Sequence, residues 1–127
     1  MSSTPCTRTK PRTRRRTEVT NAGEVVTVLT TVAGPQDAER LASVLLDERL
    51  IACANILPGA TSLYRWKGEI QRDAEVLVLM KTTTHRLEAL EERLLAEHPY
   101  DVPELLAVPV IDGSSAYLNW VAAEVQP

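Results

Sequence analysis

The sequence predicts an α+β domain in which a four-stranded sheet is assembled in the order β-α-β-β-α-β and followed by a terminal helix. Three observations carry that expectation. Two segments, Glu24–Thr31 (EVVTVLTT) and the stretch centred on Val76 to Met80, are apolar on both alternating faces, as interior strands are. Two segments between strands repeat apolar residues at helical spacing. Pro109 interrupts the last extended run, which places that strand at a sheet edge, because proline cannot donate a ladder hydrogen bond. In a ferredoxin-like plait the first and third strands are central and the second and fourth are edges, so local pattern and global topology agree.

Each element has its own justification. In AGPQDAERLASVLLDERL, Gly34 and Pro35 suit an N-cap and first helical position. Asp37 and Glu39 lie near the positive end of the helix dipole and Arg49 near its negative end. Ala38, Leu41, Ala42 and Leu45 supply one face to bury. IACANILPGATSLYRWKGEIQRDAEVLVLMKT reads as two long strands turning near Lys67 and Gly68, with Pro58-Gly59 bending or bulging the first. THRLEALEERLLAEHPY places Leu87, Leu90 and Leu94 on one helical face. ELLAVPVID reads as the fourth strand, and SSAYLNWVAAEV as a short helix starting near Ser114 or Ser115.

The hairpin from about 54 to 82 is far longer than an ordinary strand pair of about 5–6 residues per strand. Its distal part, LYRW opposite GEIQ, extends past anything the two main helices can cover, with Tyr64 and Trp66 to one side and Leu63 to the other. An aromatic ribbon with an unpaired edge is normally managed by pairing with another chain, so an oligomer is expected.

Charge divides the 127-residue chain in two. Arg8, Lys10, Arg12, Arg14, Arg15 and Arg16 fall in the first 17 residues, which contain no acid, while positions 18–127 hold 8 basic and 17 acidic residues, a net of −9. Residues 1–23 are expected to be a basic, disordered N-terminal arm and 24–127 the folded domain. The arm lacks the apolar segment of a secretory signal, and weak salt-sensitive contact with nucleic acid is the lesser reading of its arginines. No apolar run approaches the roughly 18 residues needed to span a bilayer, so membrane insertion is not expected. Two cysteines, Cys6 and Cys53, make no disulfide framework, and a reducing cytoplasm is the default location.

Few residues offer chemistry. His85 and His98 lie thirteen positions apart on one expected helix, about 20 Å, and cannot share a metal within a subunit. No CxxC, HxxxH or HExxH occurs, and no phosphate-cradling glycine loop. Cys53 in IACAN has no nearby base and reads as a packed small hydrophobe. The segment EHPYDVPEL, residues 97–105, admits two readings. In one, His98 ends a helix, continues the buried face four residues after Leu94, and is followed by a helix-breaking proline; in the other it is a ligand. Tyr64, Arg65, Trp66, Lys81, Tyr100 and Glu104, from the hairpin and the segment before the last strand, supply aromatic walls and charges of both signs. They read as interface packing or as a small-molecule pocket.

From about residue 25 to 124 the chain resembles the CutA family of divalent-cation tolerance proteins. The resemblance is carried by CANILPGATSLYRWKGEI at 53–70, EVLVLMKTT at 75–83, HPYDVPELL at 98–106 and DGSSAYLNWV at 112–121. It implies a ferredoxin-like homotrimer whose long hairpins pair between subunits, as in the nitrogen-regulatory PII proteins, with no enzymatic activity and no required cofactor. It also implies a link to divalent-metal tolerance and copper binding. Copper binding in bacterial members has been ascribed to a first-strand cysteine and two histidines before the PY, where this chain has Thr30, Glu97 and His98. Losing a thiolate and an imidazole removes what favours copper. The resemblance therefore implies at most a weak site for copper or another divalent cation at His98 with Glu97, completed by Asp101 or by a neighbouring subunit. The rival expectation is a PII-like signalling module that takes a small anionic ligand at the cleft between subunits.

Overall fold

A computed structural model describes residues 24–127; the expectations for the basic arm and Cys6 lie outside the described residues. The elements are β1 (Val25–Val32), α1 (Pro35–Asp47), β2 (Cys53–Trp66), β3 (Glu69–Thr83), α2 (Leu87–Glu97, entered through a single 3₁₀ turn at Thr84–Arg86), β4 (Leu106–Pro109) and α3 (Ser115–Glu124). One antiparallel sheet has the order β2-β3-β1-β4, with the two doubly apolar strands at its centre. Pro109 lies opposite Val26 on an edge strand. That strand is shorter than ELLAVPVID suggested: Glu104 and Leu105 precede it.

Strand alternation decides the core. Val26, Val28 and Val32 of β1 and Val76, Val78 and Met80 of β3 point to one face and pack under α1 and α2 with Leu41, Leu45, Leu90 and Leu94. All six strand residues are at most 4% exposed, and the four leucines at most 1%. Each such leucine contributes about 1.5–3 kcal/mol through burial. Ser114 caps α3 by accepting the Tyr117 backbone N–H at 3.3 Å, and α3 lies on the opposite face of the sheet. There Val121 and Val125 cover only the end near Val25 and Ala52.

Two chain reversals carry positive φ. At the end of α1, Arg49 (φ 56°) takes the left-handed position of a Schellman motif. Leu50 N donates to the Leu45 carbonyl at 2.9 Å and Arg49 N to Leu46 at 3.0 Å, closing the helix. The Arg49 guanidinium does not serve α1, as its position suggested; it donates to the Glu124 carbonyl at the end of α3, 3.2 Å away. At the hairpin tip, Lys67 (φ 51°) and Gly68 (φ 84°) form the two-residue turn that matches the twist of paired strands. The irregularity expected at Pro58-Gly59 is a register shift between Leu57 and Ala60, with Gly59 at φ 89°.

Candidate functional site

The bulge at 58–59 marks where the sheet stops being a covered layer and becomes a free two-stranded ribbon. β1 reaches β3 only as far as Val32 opposite Val76, so residues 69–75 pair with β2 alone. Side chains opposite one another in an antiparallel pair share a face. The register Ser62–Asp73, Tyr64–Gln71 and Trp66–Glu69 therefore puts Tyr64, Trp66, Glu69, Asp73 and Glu75 on one side of the ribbon. Leu63–Arg72 and Arg65–Ile70 occupy the other.

The first side of the ribbon forms one wall of a cavity of about 890 Å³. The other walls are the end of β1 (Thr31, Ala33) and the segment after α2, Tyr100 to Glu104. The volume falls within the range of small-molecule sites. Two phenol–carboxylate pairs line the cavity, and one of them ties two walls together. Tyr100 Oη donates to Glu75 Oε2 at 2.7 Å, bridging the post-helix segment to β3, and Tyr64 Oη donates to Asp73 Oδ2 within the ribbon. Burial first, and then the Glu75 carboxylate, push the Tyr100 phenol well above its ordinary range. Tyr64 is raised chiefly by its hydrogen bond to Asp73. Both phenols therefore stay protonated at neutral pH.

Four of the six residues expected to form the pocket, Tyr64, Trp66, Tyr100 and Glu104, do come together here. Arg65 does not, because alternation turns it to the far side of the ribbon. Lys81 does not either: it lies six residues further along β3 than Glu75, about 20 Å away, and contacts Asn55 Oδ1. Asp73, Glu75 and Asp101 add three further carboxylates to the lining. Among the described residues, the cavity has four carboxylates (Asp73, Glu75, Asp101, Glu104) and no lysine or arginine. An anionic ligand, the rival expectation, would meet charge of its own sign.

His98 sits behind this cavity, 7% exposed, at the C-cap of α2 in the extended conformation that the following proline favours (ψ 135°). Its Nδ1 accepts the Tyr100 backbone N–H at 3.1 Å and its Nε2 lies 2.9 Å from the Thr31 carbonyl. A carbonyl can only accept, so these partners select the Nε2–H tautomer with both nitrogens occupied. Glu97 is equally engaged, bonded to Arg40 at 3.4 Å and Arg93 at 2.5 Å. The expected pair is thus not a preformed ligand set, and among the described residues no three His, Cys, Asp or Glu side chains gather as metal ligands do. Thr30, which the resemblance aligns with the family cysteine, is fully buried, with its hydroxyl unpaired. Cys53 is half-buried and its Sγ lies 3.3 Å from Tyr117 Oη.

A further surface was not singled out from sequence. On the sheet face opposite α1 and α2, beyond the reach of α3, stand Leu29, Leu77 and Leu79, half-buried, with Leu57, Leu106 and Val108 between 42% and 55% exposed. The alternation that buries Val28 and Val78 necessarily points these leucines the other way. The signal was present in the double apolarity of β1 and β3.

The family profile described as CutA1 divalent ion tolerance protein matches residues 26–124. The Divalent-cation tolerance protein CutA of Thermus thermophilus is 51% identical over 94 residues, covering 74% of this chain and 91% of that protein. Its namesake in Citrobacter koseri is 46% identical over 103 residues, covering 81% and 90%. The solved structure of the divalent cation tolerance protein from Thermus thermophilus superposes with a TM-score of 0.78 at 47% identity, covering 80% of this chain and 99% of that one. The chain belongs to the CutA1 divalent ion tolerance family.

Proposed function

We propose that this chain works as a non-enzymatic homotrimer in divalent-cation tolerance. The observation that carries the reading is the pair of surfaces a single copy leaves uncovered: the leucine face of the sheet and the ribbon beyond the bulge. Exposed apolar strands with free edges are completed by other copies. The groups that would begin catalysis are committed elsewhere, Cys53 to Tyr117 and both ring nitrogens of His98 to backbone. Relatives that share 46–51% of aligned residues bear the name divalent-cation tolerance protein.

Direct metal binding belongs to this reading as a weak property. A copper or other divalent ion at His98 and Glu97 must displace the Tyr100 amide from Nδ1 and an arginine from Glu97, which keeps its affinity low. Calorimetric titration with Cu²⁺ tests it. Heat that survives physiological salt and is lost in His98→Ala supports the site, and an isotherm unchanged by the substitution removes it. Heat that vanishes with salt is diffuse attraction to the acidic domain. The location we assign is the cytoplasm, from a sequence whose two cysteines make no disulfide framework; cell fractionation tests it.

A further inference from the structure

The two sides of the ribbon differ in charge as well as direction. One carries Glu69, Asp73 and Glu75 beside Tyr64 and Trp66; the other carries Arg65 and Arg72 beside Leu63 and Ile70, which are 67% and 64% exposed. Leu63 also borders the cavity. Most arginines of the described chain have protein acceptors: Arg40 and Arg93 on carboxylates, Arg49 and Arg86 on backbone carbonyls. Arg65 and Arg72 have none among the described residues. Across the molecule, Asp101 and Glu104 in the cavity wall also lack a partner among the described residues. The unpaired cations and the unpaired carboxylates lie on opposite sides of one ribbon and do not meet within a subunit.

From this we infer that the acidic, aromatic cavity of one copy receives the Arg65 and Arg72 side of a neighbouring copy's ribbon. Guanidinium groups suit both walls of the cavity, stacking on Tyr64 or Trp66 and bonding the free carboxylates. Ile70 and Leu63 would be withdrawn from water in the same step. Because the two surfaces lie on opposite sides of one ribbon, one pair of copies does not satisfy both at once, so the contact is head-to-tail and closes into a ring where the rotation between copies allows. The inference rests on the homotrimer proposed above and names the side chains that build its contact.

Charge reversal tests it by sedimentation equilibrium on the full chain. Arg65→Glu with Arg72→Glu, and separately Asp101→Lys with Glu104→Lys, are each expected to raise the concentration at which the assembly dissociates by at least about tenfold. All four together should restore assembly, because every contact again joins opposite charges. The lysine variant discriminates further: it reduces the net negative charge, so a general repulsion effect would strengthen assembly where a local contact weakens it. Should a reversal fail to fold, Arg65→Gln with Arg72→Gln removes the attraction without adding repulsion and is expected to weaken assembly to a smaller extent. Wild-type assembly in that neutral variant or in both reversals, or no recovery in the fourfold variant, overturns the inference while leaving the trimer intact. A wild-type chain that is itself monomeric removes both.

Discussion

The covered sheet and the free ribbon are made from the same two strands, yet they are stabilised in different ways. Before the bulge, β3 buries Val76, Val78 and Met80 to 4% exposure or less beneath two helices. Beyond it, Leu63, Tyr64, Trp66 and Ile70 hold the same ladder while 42–67% exposed. Backbone pairing alone is marginal for an isolated hairpin. The contrast teaches that the first region is stabilised by burial under its own chain, while the second receives no comparable cover from it.

The largest expected effect lies in the covered region. Leu45→Ala, at a fully buried position of α1, should cost about 2–5 kcal/mol in urea unfolding. The matching change in the ribbon, Ile70→Ser, should leave the far-ultraviolet circular dichroism unchanged and appear only as weaker association in sedimentation. At the tip, Gly68→Ala places a Cβ on a residue with φ +84° and should cost about 1–2 kcal/mol. Thr30→Val removes a fully buried, unpaired hydroxyl at nearly constant shape and should raise stability by about 1 kcal/mol.

A smaller effect follows from the Tyr100–Glu75 pair. The Tyr100 phenol is raised in the folded state, so its contribution is fully present below the ordinary tyrosine range near pH 10 and is lost as pH rises through the folded value. Alkaline unfolding should therefore show a stability loss above about pH 10 that Tyr100→Phe reduces. Smallest of all, Lys67→Asn should gain a few tenths of a kcal/mol by suiting the positive φ of the turn.

Much of the fold was legible because its signals are local. Gly34-Pro35 opens α1, Pro58-Gly59 bulges β2, Lys67-Gly68 turns the ribbon and Pro109 marks the edge, each through backbone constraints that residue type reveals. The cavity was legible only in part. Tyr64, Trp66, Tyr100 and Glu104 converge, but Arg65 and Lys81 fall elsewhere, because strand register decides which face and which level a side chain reaches. Register also brings in Asp73 and Glu75, which changes the cavity from mixed charge to acidic. His98 shows the same limit: its fate depends on the Thr31 carbonyl, 67 residues away, which no local pattern discloses.

In the trimer proposed above, other copies cover the ribbon and leucine face that one copy leaves exposed, and light scattering on the wild-type protein in the micromolar range tests that assembly directly. The expected result is a particle of three chain masses that gives way to smaller species on dilution or in high salt. A folded particle of one chain mass across that range would contradict it.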